Sequence, residues 1–353
     1  VCALFCLAIL PLCAAKTFAK AQAGDFAGGS GTAADPYLVA TAEQLDRVRY
    51  YRDAHFRQTD NLDLADVRNF APIGSVTFPF AGRYDGGKYA IRNLRIVAEE
   101  NNAGLFAYVQ GGEICNVKIE QADVRGAYNV GGVAGANNGT IVGCTFGGTV
   151  TGQAAVGGIA GLNASGGTVR ECGNRAEIRG GISAQTGNYI GGIAGVNNGA
   201  ISDCYNRGGV QSGENAPDAA YVGGIAGVNN GESARANIHA SFNAGAVGGR
   251  ASGQIAGDNQ NGSIGLCKWQ TGAPQVCAAF NAGTVTNVRD VAKSAFGKRE
   301  TFRDWENFDS VWRLSPENDY PILQREYVAV ERVEFDGGAR MQLQPGESRA
   351  LQA

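Results

Sequence analysis

Between Val130 and Ala256 the chain writes nearly the same short phrase five times: VGGVAGANNGTIVGCTF from Val130, VGGIAGLNASGGTVREC from Val156, IGGIAGVNNGAISDCYN from Ile190, VGGIAGVNN from Val222 and SGQIAGDNQNGSI from Ser252. The second glycine falls at Gly132, Gly158, Gly192 and Gly224, with Gln254 in its place in the fifth phrase, so the spacings are 26, 34, 32 and 30 residues. Self-similarity at such a period marks stacked supersecondary units, each too small to bury a core alone. Helical units would need apolar residues three to four apart and little glycine. Here short runs holding Ile193, Val196, Ile201 and Val210 alternate with Asn-Asn-Gly or Gly-Gly turns, which read as strands and corners. The expected fold is all-β, a right-handed parallel β-helix with three short strands per coil. The 53 glycines among 353 residues suit corners that need positive φ, and the recurring Asn137, Asn163, Asn197 and Asn229 are read the same way.

A second column runs through the repeats. Five residues after the turn glycine come Cys144, Cys172 and Cys204, with Ser241 and Ala279 as their expected equivalents. Equivalent residues of successive coils lie about 4.8 Å apart, so an inward column favours small side chains that stack without clashing. Ile201 and Cys204 are three apart and could not both point inward along a straight strand, which predicts a bend at Ser202 and Asp203. A metal or redox site would show Cys-x-x-Cys or Cys/His spacing, which is missing. The packing role is preferred for these thiols.

The phrases resemble the GLUG motif, a glycine-rich repeat of bacterial exported proteins that runs Val-Gly-Gly-aliphatic-small-Gly-x-Asn-x-Gly-x-Ile-x-x-Cys-Tyr. Ile190 to Tyr205 matches it almost throughout. The upstream segments GSGTAADPYLVATAEQLDRVR (29–49) and FAPIGSVTFPFAGRYDGGKYAIRNLRI (70–96) are similar to the leader of such repeats. Departures at Gln254 and around 232–237 predict that these late coils are the least regular. GLUG repeats also occur in large secreted IgA-specific metallopeptidases, so the resemblance implies that this chain would supply a non-catalytic region of such a protein.

The division expected is a signal peptide over 1–21, a linker over 22–30, a cap with the first coils over 31–101, the GLUG coils over 102–288, a C-terminal cap over 289–325 and a truncated module over 326–353. VCALFCLAILPLCAA followed by Ala19-Lys20-Ala21 reads as an h-region with a cleavage site. It is shorter than the roughly 18 apolar residues of a membrane span, so the mature chain is expected to be secreted or displayed at the cell surface without inserting in a membrane. Thr41 opens a short helix with Gln44 three residues on and Leu45 and Val48 on one face, a candidate lid. At the other end Phe302, Trp305, Phe308, Trp312 and Tyr320 crowd one segment. They are read as an aromatic plug on the last coil in preference to a sugar-stacking platform. The final 28 residues alternate apolar and polar side chains. They resemble the opening strands of a bacterial Ig-like group-two domain, with Val333, Phe335, Met341, Leu343 and Leu351 on one side and Pro345-Gly346 as the turn.

Export leaves Cys115, Cys144, Cys172, Cys204, Cys267 and Cys277 in an oxidising setting, where disulfides are permitted and not required. Cys267 with Cys277 is the favoured pair, because the two bracket the insertion KWQTGAPQV.

Enzymes on β-helices cluster carboxylates with Arg or Lys on one face. Here Asp35, Asp60, Asp63, Asp66, Asp85 and Asp123 lie in the leader, while the coils hold Glu171, Glu177 and Asp203 without an evident column. DNLDLAD lacks the alternation of a calcium loop, and Asp85-Gly86 reads as a hairpin turn. The two histidines, His55 and His239, form no metalloprotease motif. A net charge of −3 with no basic stripe disfavours nucleic acid. No catalytic, cofactor or metal residue is therefore expected. Gly132, Gly158, Gly192, Gly224, Cys144, Cys172, Cys204, Trp305 and Trp312 are assigned structural roles. The function expected is a non-catalytic, monomeric module of a longer chain, binding an extracellular glycan or host protein or serving as a stalk, with insertions at 235–242 and 267–269 as the candidate face. A polysaccharide lyase or hydrolase is the alternative.

Overall fold

A computed structural model describes residues 24–326, apart from 88, 100, 182–187, 214–219, 232–236, 273–274, 278–280 and 315–318, together with the backbone of 333–334 and 340–341. The proposed signal peptide, Arg235 and Ala279 lie outside the described residues. So does most of the proposed Ig-like module, Pro345-Gly346 included, although Val333 does pair with Met341 in an antiparallel bridge.

The chain is a parallel β-solenoid of about seven turns, with the short helix Ala42–Arg47 following its first strand. One sheet carries a ladder of strands from Tyr37–Val39 through Phe106–Cys115 and Ala134–Val142 to Thr284–Thr286. A second ends at Arg289–Val291, and a third begins only at Tyr128–Gly131. The register follows the repeated phrase: Val156 opposes Ile190, which opposes Val222, and Val169 opposes Ile201, which opposes Ile238. A one-residue slip would turn every inward side chain outward, so these fully buried columns pin the register.

Two expectations about the repeated residues change their physical reason. The motif glycines Gly132, Gly158, Gly192 and Gly224 do not have positive φ. A Cβ there would lie 2.2–2.5 Å from the carbonyl oxygen of the next coil, so close backbone approach excludes side chains. Likewise Asn137, Asn163, Asn197 and Asn229 are not left-handed corners. Each is buried and passes its Nδ2–H to the Oδ1 of the next coil's Asn, in a ladder from Asn137 through Asn163, Asn197, Asn229 and Asn259 to Asn281, at 2.9, 2.8, 2.8, 2.9 and 2.8 Å. Backbone groups at the turn complete the amide's partners, as when Asn137 Oδ1 accepts from Gly139 N. Buried amides satisfied in this way hold their rotamers and tie coil to coil.

The left-handed corners fall elsewhere, at Asn93, Asn116, Gly143, Glu171, Asp203, Ala240, Leu266 and Asn287. Asp203, at φ 53°, makes the bend expected there, and it lets Ile201 and Cys204 both point inward. The small-residue column runs Cys144, Cys172, Cys204, Ser241 and then Cys267, because Ile238 opposes Ile264 in the adjoining strands. Cys267 thus takes the place expected of Ala279. Asp85-Gly86 is not a hairpin: Arg83–Asp85 runs parallel to Phe106–Cys115, and the turn after it is a coil corner.

A shorter amide ladder links Asn174, Asn206 and Asn243 at 2.7 and 2.8 Å. In the next coil Trp269 stands opposite Asn243, and there Gln254 Oε1 accepts from Asn243 Nδ2 at 3.1 Å. The departure from glycine at Gln254 therefore supplies the last rung of this ladder.

The N-terminal lid forms as read: helix Ala42–Arg47 has Thr41 as N-cap, accepting from Gln44 N, and it buries Leu45 and Val48. The C-terminal aromatic cap is present too, and its seat is the flank of the late coils. Phe296, Phe302, Trp305, Phe308, Trp312 and Tyr320 form a second core with the outward rings Tyr205 and Phe242. Trp305 Nε1 donates to Leu266 O at 2.6 Å, and buried Lys268 pairs with Asp304 at 2.9 Å.

A candidate binding cleft beside the N-terminal lid

The residues singled out in the sequence are consumed by the fold. The glycine, Asn and Cys columns point inward, and Trp305 and Trp312 are buried in the cap. Cys267 and Cys277 are free thiols, so the favoured staple is not made. Cys267 instead donates to Gly265 O at 3.3 Å and Ile238 O at 3.6 Å within the column, and burial pushes its thiol up to about 12. Of the described residues in the 237–242 and 267–269 segments, His239 is exposed and Asn237 half-buried. Phe242, Cys267, Lys268 and Trp269 are buried, because the cap covers Phe242 and Lys268 while Cys267 and Trp269 belong to the solenoid core.

The sequence missed one grouping of carboxylates. Arg170 opposes Ser202, so Glu171 and Asp203 are successive corners of adjacent coils. Burial pushes the Asp203 carboxyl up, and the neighbouring Glu171 charge adds to this while His239 opposes it. Glu171 anchors a strap in which Arg325 bonds both Glu171 and Asn116, and Glu326 accepts from Arg175 and from Tyr205 Oη. Among the leader acids, Asp60 and Asp63 cap nearby backbone N–H groups in turns. His55 opens a strand, with its N–H on Gly31 O. Among the described residues no group of three or more His, Cys, Asp or Glu side chains converges as metal ligands do.

The shaped opening lies in the leader. A cleft of about 670 Å³ runs between loop 69–77 and residues 97–99 and 101–102. Smaller hollows of about 390 and 300 Å³ share its walls at Phe70 and at Pro72 to Ser75, and both border Tyr50. The loop is held at several points. Asn69 bridges Val97 N and O, at 2.8 and 3.1 Å. Arg49 donates to Ala71 O at 2.7 Å and Pro72 O at 3.3 Å. At the tip Gly74 has φ 79°, where a Cβ would meet Phe80 N at 3.0 Å. Ser75 Oγ accepts from Phe78 N at 3.0 Å, and Ser75 N donates to Phe78 O at 2.9 Å. This turn presents Phe78 to solvent with the Arg52 guanidinium 4.9 Å from its ring centre. The cleft volume lies in the range of ordinary ligand sites.

No family model matches the chain. Halomucin from Haloquadratum walsbyi is 32% identical over 152 residues, covering 38% of this chain and 2% of halomucin. A "putative Gly-rich membrane protein" from Evansella cellulosilytica is 34% identical over 134 residues, covering 35% of this chain and 16% of the relative. The chain therefore spans a small part of the curated relatives it matches. A crystal structure of a "putative immunoglobulin A1 protease" from Bacteroides ovatus superposes with a TM-score of 0.64 at 23% identity, over 86% of this chain and 96% of that one. It shares the solenoid fold. Among the described residues no helix is long and apolar enough to cross a membrane.

Proposed function

We propose that this chain is a non-catalytic module of a cell-surface or secreted protein, built of GLUG repeats, that presents a ligand-binding end on a rigid stalk. The observation that carries the reading is the division of labour along the axis. Repeated polar and thiol side chains are buried in columns, while exposed apolar side chains gather around one preformed cleft. The relative named as a membrane protein supports a surface location. The name of the structural neighbour favours a narrower version, in which the module is the non-catalytic part of a peptidase-like surface protein.

The test pairs binding with cleavage. The full chain is offered to arrayed glycans and immobilised extracellular proteins, and in parallel is incubated with pectin, uronate polymers and immunoglobulin A. Binding without shortening of any polymer or protein is expected. Turnover of any of these would overturn the non-catalytic reading, and no binding would leave a spacer.

A further inference from the structure

We propose that Lys268 and Asp304 join through an isopeptide bond, which fastens the C-terminal cap covalently to the coil beneath it. The lysine stands in the outward column that runs Thr145, Gly173, Tyr205, Phe242 and Lys268, and its side chain is 0% exposed. Nζ faces the carboxyl oxygens of Asp304 at 2.9 and 3.0 Å, with the ring centre of Trp305 at 4.9 Å and that of Phe302 at 5.6 Å. Lysine is almost never wholly buried unless paired. An ion pair taken out of water meets a desolvation penalty that its own attraction repays only when the remaining donors are satisfied as well.

One donor here is poorly satisfied. An ammonium has three N–H groups. Two are directed at Asp304, and the third has Leu266 O at 3.4 Å, an acceptor already held by Trp305 Nε1 at 2.6 Å. Burial pushes the ammonium below the usual lysine range, Asp304 opposes this, and Arg289, which stands opposite in the next strand, adds to the fall. An amide nitrogen carries a single N–H, for which Leu266 O suffices, and it has no charge to desolvate.

The reaction closes within the pair. A proton passes from Nζ to the Asp304 carboxylate, leaving an amine beside a carboxylic acid. The Nζ lone pair attacks Cγ, a second proton moves from nitrogen to the acid hydroxyl, and the C–O bond breaks to release water. One N–C bond forms, one C–O bond is lost, and no oxidant or co-reactant is consumed. Nζ is nearly equidistant from the two oxygens and so stands before Cγ, and rotation about Cβ–Cγ turns the face of the carboxyl toward it. Groups held in this way react with effective molarities that reach about 10⁵–10⁸ M. The positive charge of Arg289 favours the oxyanion of the tetrahedral intermediate, and the 29% exposure of Asp304 gives the released water a way out. The product closes a loop between residues 36 apart and holds the cap to its coil after the non-covalent contacts have melted.

The experiment digests the denatured full chain with trypsin and weighs the peptides. Most molecules should resist cleavage after Lys268, so that residues 251–289 stay together and carry the Asp304 peptide as a branch, lighter than the sum of the two by one water. Lys268→Met and Asp304→Ala should each lack the branch. Ordinary cleavage after Lys268 with a free Asp304 peptide in the parent would overturn the proposal and leave a buried ion pair. So would a water lost from the intact chain without the branched peptide, or a branch on Lys268 that persists in Asp304→Ala. Because the readout is a mass in the denatured parent chain, the test stands whether or not either variant folds.

Discussion

The leader coils and the repeat coils share one backbone ladder and fill it by opposite means. In the leader the interior is a train of rings, Phe26, Tyr37, Phe56, Phe80, Tyr84 and Phe106, with neighbouring centroids 4.6 to 6.4 Å apart. Ion pairs such as Arg92–Glu120 and Arg83–Asp85 dress the outside. In the repeats the interior is Val, Ile, Ala and Cys with the ring Phe146 and two amide ladders: the column of Tyr37, Phe56 and Tyr84 continues as Ile114, Ile141 and Val169, while the amide columns run back to Val109 and, through Phe146, to Ile119. Rings of different size can interlock without any residue recurring. An amide ladder needs the same residue in every coil, since each rung supplies the next one's partner. Hence the repeats are rigidly periodic in sequence and the leader is not.

The sharpest way to break this contrast is to damage each filling once. Phe80→Ala should cost about 3–5 kcal/mol, the usual cost of emptying a buried ring site. Its effect on hydrogen exchange should stay within 37–115. Asn197→Ala should cost about 2–4 kcal/mol, because it removes partners from both Asn163 and Asn229 in the interior. Loss of protection should spread to the coils on either side. Urea midpoints give the magnitudes and site-resolved exchange the reach. A Phe80→Ala effect that runs the length of the solenoid, or an Asn197→Ala effect confined to one coil, would erase the distinction.

Acid should separate the leader from the C-terminal strap. Burial pushes the Asp85 carboxyl up, but the Asn116 amide, the Gly87 N–H and Arg83 outweigh it and hold it below its usual range. The Lys118 partner, aided by Arg92, does the same for Glu120. These two contribute stability above the unfolded values of 3.8 and 4.5 and lose it as pH falls through their lower folded values. In the strap, burial raises Glu326 in spite of Arg175, and burial likewise raises Asp203 at the corner beside Glu171. Their contribution is complete below 4.5 and 3.8 and declines as pH rises through the higher folded values. Protection factors over 299–326 should therefore hold or improve from pH 7 to 5, while those over 83–125 fall only below about pH 4. A strap that loosens between pH 7 and 5 would reverse the assignment.

The smallest effect is expected in the thiol column. Ser241 already occupies it, accepting from Cys204 N at 3.1 Å and donating to His239 O at 2.8 Å. Cys204→Ser should thus change stability by under about 1 kcal/mol, a hydroxyl replacing a thiol that donates to Ser202 O at 3.1 Å.

What could be read from the residues follows from the same contrast. The solenoid, its corner at Asp203, the lid at Thr41 and the inward thiols were legible because stacking makes chemistry recur at a fixed period. The reason for Asn and Gly at their places was not, since a side-chain ladder and a backbone clash are properties of two coils together. The seat of the aromatic cap left a trace. Tyr205, Phe242 and Lys268 each follow a member of the small column, where the earlier coils have Thr145 and Gly173, and that change from small to large marks the flank to be covered. The cleft left none, because Val76 and Phe78 in VTFPF are indistinguishable by pattern from a buried strand.

The long amide ladder also has a direction: from Asn137 to Asn281 every donor faces the same end of the molecule. A coil duplicated in frame would arrive with its donor and acceptor already matched to both neighbours, wherever along the ladder it was inserted, whereas a coil lacking the Asn would break the series. Growth and shortening of such a protein by whole turns are therefore almost free of new packing problems, and the distance between its N-terminal helix and its C-terminal aromatic cap becomes a quantity that gene duplication can set.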